Sequence, residues 1–311
     1  MATLTVVRPG MLTTVQDLGR WGCQDEGVPV AGPMDGYSHR EANRLVGNPD
    51  SAAALEVTLM GPELVADAEI VCAVAGARFD VTVNGAAVSI STAFVVPAGG
   101  RLRFGNRLAG ARATFAVRGG FDIAPVFGSR ATSLISRMGP FGGRALVSGD
   151  VLPIGGSDLD FSNVIEKSRS DPWLPDGGAR LRVVMGPHDA MFTGAARETF
   201  LSARFIITPN SNRMGYRLEG PPLSHVSGAD ILSDATPMGS LQVPASGHPI
   251  LLMADRQTTG GYPKIATVIT ADLPVAGQLA PGDWIQFAAV SRSAALDALK
   301  EQEARLSGGR R

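Results

Sequence analysis

Val81-Thr-Val-Asn-Gly-Ala-Ala-Val88 decides the class of fold. Asn84-Gly85 separates two short apolar runs, and both residues tolerate the positive φ angles that a two-residue hairpin turn demands. Outward from this hairpin the same punctuation repeats. The chain has 38 glycines and 21 prolines, and they cut it into many short apolar runs, which favours strands over a helical bundle. Val6-Val7, Ile70–Val74, Phe79–Val83, Phe94–Val96, Leu102–Phe104 and Thr114–Val117 are predicted strands, and Ile250–Met253 is a predicted buried one. Few helices are expected. Asp35 to Val46 is one, capped by Asp35 and stopped by Gly47-Asn-Pro49; Asp189 to about Leu201 is a second. The Ala/Leu/Glu-rich tail from Ser293 to Leu306 is a third, expected to dock on the body or to help association.

With 311 residues, 44% hydrophobic and 18% charged, the chain is long enough for two packed domains. A net charge of −1 gives no electrostatic reason to expect a nucleic acid or an anionic membrane as partner. Cys23 and Cys72 are too few for a disulfide framework or a cysteine zinc site, and His39, His188, His225 and His248 are too scattered for a short metal motif. No metal is expected. The start lacks the pattern of a signal peptide and no apolar run reaches the length of a membrane span, so a cytoplasmic protein is expected. From Gly155 to Gly178 the composition turns to Gly, Ser, Pro and charge. The expected layout is an N-terminal β lobe over 1–160, a linker over 161–178, a C-terminal β lobe over 179–290, and a helix and tail over 291–311. Leu55-Glu-Val-Thr-Leu-Met-Gly-Pro-Glu-Leu64 is faintly echoed by Leu218-Glu-Gly-Pro-Pro-Leu223, as two similar lobes would require; a cleft between lobes is then the expected ligand site.

Three loops concentrate the chemistry. After the strand ending at Met253, ten residues hold Asp255, Arg256, Gln257, Thr258, Tyr262 and Lys264, with Gly260-Gly261 expected to relax the backbone between them. Lysine occurs only at 167, 264 and 300, which makes Lys264 conspicuous. Thr208-Pro-Asn-Ser-Asn-Arg-Met-Gly215 brings Asn210, Asn212 and Arg213, donors suited to a carboxylate, carbonyl or ureido oxygen, or else an ordinary Asn-rich turn. Gln242 lies on a predicted strand and is expected to face a polar cleft, whereas His188 belongs to a turn leading into a helix. Near the start, Asp17 and Arg20 sit in a run of Thr and Gln, followed by an irregular loop to Asp35. They are either ligand-binding or a self-satisfied turn with its own ion pair. On the binding reading they line the same cleft as Asp255 and Lys264. No phosphate-binding loop or nucleophile elbow is present, so ATP would be handled by a partner.

Five of these stretches in series are Thr13-Thr-Val-Gln-Asp-Leu-Gly-Arg20 with Gly32-Pro-Met-Asp35, Ala42-Asn-Arg-Leu-Val-Gly-Asn-Pro49, Leu55-Glu-Val-Thr-Leu-Met-Gly-Pro62, Asn212-Arg-Met-Gly-Tyr-Arg-Leu-Glu-Gly-Pro221 and Ala254-Asp-Arg-Gln-Thr-Thr-Gly-Gly-Tyr-Pro-Lys-Ile-Ala266. Together they resemble the allophanate hydrolase subunit 2 family, also called the biotin-dependent carboxyltransferase or Kip-antagonist family, over residues 8 to about 290. The resemblance implies a mainly β protein of two cyclophilin-like β-barrel lobes with a few helices. It implies the role of the C subunit in an ATP-dependent 5-oxoprolinase that opens 5-oxo-L-proline to L-glutamate. The partners would be the Kip-inhibitor-like B subunit and the A subunit of that enzyme, with ATP used by the complex and no cofactor bound by this chain alone. Two alternatives are a carboxyltransferase served by carboxybiotin, as in urea carboxylase, and a regulatory Kip-antagonist-type binding protein. In the enzymatic readings Asn212, Arg213, Gln242 or Lys264 would stabilise a developing oxyanion and Asp255 would orient or deprotonate an amide nitrogen. No lysine stands in a Met-Lys-Met setting, so biotin would arrive on another protein.

Overall fold

A computed structural model describes residues 2–156 and 174–307 of the chain. Residues 161–173 of the expected linker lie outside the described residues, as does Lys167. The chain divides into two compact units, Met1–Trp21 with Ala31–Leu174, and Gly22–Val30 with Pro175–Arg311. Among the described residues no helix is long and apolar enough to cross a membrane.

The first unit carries a curled, nine-stranded antiparallel sheet: β1 (Thr3–Arg8), β2 (Leu12–Gln16), β3 (Ala54–Thr58), β4 (Glu63–Ala66), β5 (Ile70–Val83), β6 (Ala86–Ala87), β7 (Ala93–Val96), β8 (Arg101–Val117) and β9 (Val151–Pro153). The main path runs β2-β3-β8-β4-β1-β9, and β5 pairs with β6, β7 and β8. Strand alternation divides β3 between two environments. Leu55 and Val57 enter the main core with Val15, Leu64, Val74 and Phe115, where Phe104 meets Phe79 and Phe115 edge to face. Ala54, with Ala73, Ala75 and Ala116 of the neighbouring strands, packs against Ala42, Leu45 and Val46 of α1 (Gly36–Leu45) and the turn after it. Small side chains on this face let the helix lie close to the sheet, which is why every residue of β3 is buried. Asp35 caps α1 through both carboxylate oxygens, accepting from Ser38 N at 2.9 Å and Ser38 Oγ at 2.6 Å. A single turn, α2 (Pro140–Gly143), precedes β9.

The hairpin at Asn84-Gly85 forms as expected, with both residues at positive φ. The strand count does not. Ile70–Val74 and Phe79–Val83 are one strand, β5, and Leu102–Phe104 and Thr114–Val117 are one strand, β8. The residues that interrupt the apolar runs are bulges, not turns: the β5–β8 register shifts between Gly76 and Arg78 and again on to Val81. Gly76 and Gly110 adopt positive φ there, so the pair bends without breaking.

The second unit is a closed seven-stranded barrel in the order β10-β17-β14-β15-β12-β11-β18. Its strands are β10 (Gly178–Met185), β11 (Arg204–Ile207), β12 (Gly215–Glu219), β14 (Ser240–Gln242), β15 (Ile250–Leu252), β17 (Lys264–Val268) and β18 (Trp284–Ala289). A parallel pair, β10 with β18, closes it, and a side chain at Gly178 would collide with the Trp284 ring. Leu181, Val183, Phe205, Ile207, Leu218, Leu241, Leu251, Ile285 and Phe287 are buried, and Phe287 stacks on Phe200 of α3 (Gly194–Ser202) at 4.7 Å. This helix starts later than expected. Asp189–Met191 forms a separate 3-10 turn, and Thr193 caps the helix by accepting from Ala196 N. Tyr216 Oη donates to the carbonyls of Ala276 and Leu279 at α4 (Leu273–Gly277). The tail helix α5 (Arg292–Leu306) docks on its own unit, Ala298 against Ile269 and Ala271. Two further strands, β13 (Asp234–Ala235) and β16 (Thr259–Gly260), pair only with each other.

Candidate functional site

The polar loop after β15 is built by the sheet beneath it. Leu241 of β14 pairs with Leu251 and with Ala266, three apolar residues on one face. Gln242, the next residue of β14, therefore lies on the opposite face, which Ser240 shares two residues away, and it pairs with Lys264 across a register shift that skips Ile265. All three polar residues are nonetheless buried. The β13–β16 strap covers Lys264 and Gln242. Lys264 Nζ donates to Asp234 Oδ2 and, at 2.6 Å, to the Ala235 carbonyl; Thr236 Oγ1 donates to the Gln257 carbonyl, and Thr236 N to the Thr258 carbonyl.

The two glutamines meet under this strap. Gln257 Nε2 donates to Gln242 Oε1 at 3.2 Å, while Gln242 Nε2, Gln257 Oε1 and Ser240 Oγ are buried with no partner. Gly260 was expected to loosen the loop, but neither Gly260 nor Gly261 has a positive φ. Its use is space: a Cβ at Gly260 would lie 2.5 Å from Gln242 Nε2. Any side chain here would press into the amides.

Two charged groups brace the loop. Asp255 receives a bidentate contact from Arg213, Nε to Oδ2 at 3.1 Å and Nη2 to Oδ1 at 3.0 Å, and its amide donates to the Arg213 carbonyl at 2.9 Å. Both side chains are buried, so each charge depends on the other. Arg256 donates to the carbonyls of Thr236 and Met253, and burial pushes its guanidinium down to about 10, against the pull of Asp255. His188 accepts from the Lys264 amide through Nδ1, which leaves the ring proton on Nε2. Burial, helped by the Lys264 charge, lowers its pKa and favours the neutral ring. The Lys264 ammonium likewise holds the Asp234 carboxyl below the usual range.

The structure thus brings Arg213, Gln242, Asp255, Arg256, Gln257 and Lys264 into one neighbourhood of the second unit. Thr258 is half-buried beside them, and Tyr262 is 41% exposed. Asn212 is used by its own turn, Oδ1 accepting from Met214 N, and Asn210 is exposed. In the first unit Asp17 accepts from Gly19 N, Ser129 Oγ and Arg130 N, while Arg20 donates to the carbonyls of Val126 and Ala131. Only the Gly19 contact lies within the turn; the others tie it to the 126–131 segment, and Asp35 acts as a helix cap. Asp234, Thr236 and Ser240 went unnoticed in the sequence. Asp234 stands 30 residues from Lys264 and shows no motif of its own. Among the described residues no group of three or more His, Cys, Asp and Glu side chains converges as a metal site.

The carboxyltransferase domain, subdomain A and B family matches residues 26–289. The chain is 38% identical over 300 residues to the C subunit of the Escherichia coli 5-oxoprolinase, covering 96% of this chain and 95% of that one. It is 34% identical to urea amidolyase of Lachancea kluyveri, but spans only 17% of that protein. The solved Kluyveromyces lactis urea carboxylase superimposes with a TM-score of 0.92 at 33% identity, over 99% of this chain and 29% of that one. Matched in sequence and fold over nearly its whole length, the chain belongs to the carboxyltransferase domain, subdomain A and B family.

Proposed function

We propose that this chain is the C subunit of an ATP-dependent 5-oxoprolinase complex, acting with the A and B subunits in the cytoplasm on 5-oxo-L-proline. One observation carries the reading: the similarity to a 5-oxoprolinase C subunit covers 96% of this chain and 95% of that one, whereas the urea enzymes are matched over a small fraction of their length. Opening a lactam places growing negative charge on its carbonyl oxygen. Lys264, held by Asp234 and the Ala235 carbonyl, and the free Nε2 of Gln242 are preorganised donors for that charge. Asp255 and Arg213 hold the loop that packs against them, so their role is positioning and not proton transfer. ATP is handled by the partner subunits.

Carboxyl transfer is the second reading, favoured by the superposition on urea carboxylase. Carboxybiotin, when bound, would supply the carboxyl group, and the Lys264 ammonium is the cation of this shelf suited to face it. The test is ATP-dependent conversion of 5-oxoproline to glutamate by this chain mixed with the products of its neighbouring genes, each omitted in turn. Activity lost only on omission supports the first reading. Inactivity of the full mixture, with binding of a biotinylated carrier, moves the assignment to the second.

A further inference from the structure

We infer that Gln242 and Gln257 form a recognition pair for the cis N–H/C=O edge of a small cyclic amide, the edge shared by a lactam and a cyclic urea. The inference rests on the proposed function only in placing a cyclic amide near this chain; the geometry is independent of which enzyme complex it serves.

Two facing primary amides can exchange two hydrogen bonds. Here they make one, Gln257 Nε2 to Gln242 Oε1, and the other donor and acceptor, Gln242 Nε2 and Gln257 Oε1, are buried without partners. Exchanging O and N in both amides leaves the same remainder, one N–H donor and one C=O acceptor, because only an N–H facing an oxygen can make the contact. A cis amide fills that remainder: its N–H donates to Gln257 and its carbonyl accepts from Gln242. An open-chain trans amide points its two groups in opposite directions and cannot. Leaving both groups unpaired is costly at a buried position, and three neighbouring features make room for a visitor. Gly260 keeps the space over Gln242 Nε2 free of a side chain. Ser240 Oγ, on the same face and also unpartnered, adds a hydroxyl that can turn to either role. The cover includes a strap of two two-residue strands, pinned by Lys264 to Asp234 and Ala235, a short element that a visitor would displace.

The test is direct binding, by calorimetry or ligand-observed NMR, to the chain alone and to its reconstituted complex. The compounds are 2-pyrrolidinone, 2-imidazolidinone and 1-methyl-2-pyrrolidinone. The first two should bind, and the N-methyl compound about ten- to a hundredfold more weakly, since it leaves Gln257 Oε1 unpaired. A preference for 2-pyrrolidinone assigns a lactam, and a preference for 2-imidazolidinone assigns a ureido ring. Gln257→Glu gives the sharper arm. A carboxylate can only accept, so Gln242 turns its N–H toward it and two acceptors remain. The variant should lose the lactam and gain a cyclic guanidinium such as 2-aminoimidazoline. Equal binding of the methylated and unmethylated lactams, or no exchange of preference in a folded Gln257→Glu protein, overturns the inference and leaves the pair as an internal network closed by water. Absence of oxoprolinase activity in the full mixture, with N–H discrimination intact, would reject the proposed function while leaving this inference standing.

Discussion

The loop at Thr13–Arg20 and the loop at Ala254–Lys264 look alike in sequence, each crowding an acid, an arginine, a glutamine and two threonines beside a strand. The structure uses them differently. In the first, Asp17 takes three donors and Arg20 clasps two carbonyls of the 126–131 segment, so the charges tie one part of the unit to another. The unpaired atoms left there are Gln16 Oε1, Thr132 Oγ1 and Ser133 Oγ, an acceptor beside hydroxyls that rotate to suit. In the second, the charges brace the loop while one amide donor, Gln242 Nε2, and one amide acceptor, Gln257 Oε1, are buried without partners. Charge density alone therefore does not separate the two loops; what differs is the kind of hydrogen-bonding capacity left over, an amide donor with an amide acceptor in the second.

The largest effect that sharpens this contrast is expected in the brace. Arg213→Ala strands the buried Asp255 carboxylate and should cost about 3–5 kcal/mol in denaturant unfolding. The paired replacement Arg213→Met with Asp255→Leu should recover much of it. Should the single variant unfold no more easily than the parent, the pair is not a brace.

Next comes pH. His39 of α1 is buried neutral in the first unit, its pKa lowered by burial to about 4 from 6.5. The folded value lies below the unfolded one, so the stabilisation is complete above pH 6.5 and declines as the pH falls toward 4, by about 3 kcal/mol in all. Unfolding between pH 7.5 and 4.5 should show this slope, and His39→Gln should flatten it.

Asp17→Ala releases three donors and is expected to cost about 2 kcal/mol, while the protein that remains folded binds 2-pyrrolidinone as the parent does. An altered affinity at full folding would break the contrast by giving the first loop a share in binding. The smallest effect belongs to Tyr262→Phe: its exposed ring should change stability by less than about 0.5 kcal/mol in thermal melts.

Local signals carried much of this architecture. Asn84-Gly85, the Asp35 cap and the family stretches could be read because each depends on residues close in sequence. What escaped depends on distant partners. Gly76 and Gly110 punctuate the chain like turns, yet a partner strand converts them to bulges. Gly22–Val30 groups with the second unit although first-unit residues flank it. In the site, Lys264 and Gln242 were visible as unusual polar residues, but Asp234 and the purpose of Gly260 are defined only by what packs on them. Asp255 stood out in the sequence, but the bidentate contact that holds it comes from Arg213, 42 residues earlier, and is defined only by the fold.

The parallel β10–β18 seam has a consequence for how the second unit comes to exist. It joins Gly178 to Trp284 and continues to Val183 with Ala289, so the first and last barrel strands meet only after all the intervening strands are made. Closing so long a loop returns its entropy late, which favours slow, cooperative assembly. During synthesis the barrel stays an open sheet, with the edges of β10 and β11 unpaired, until β18 emerges. A chain cut just before Trp284 would lose six residues of strand and with them the circle, leaving two exposed edges prone to pair with other molecules.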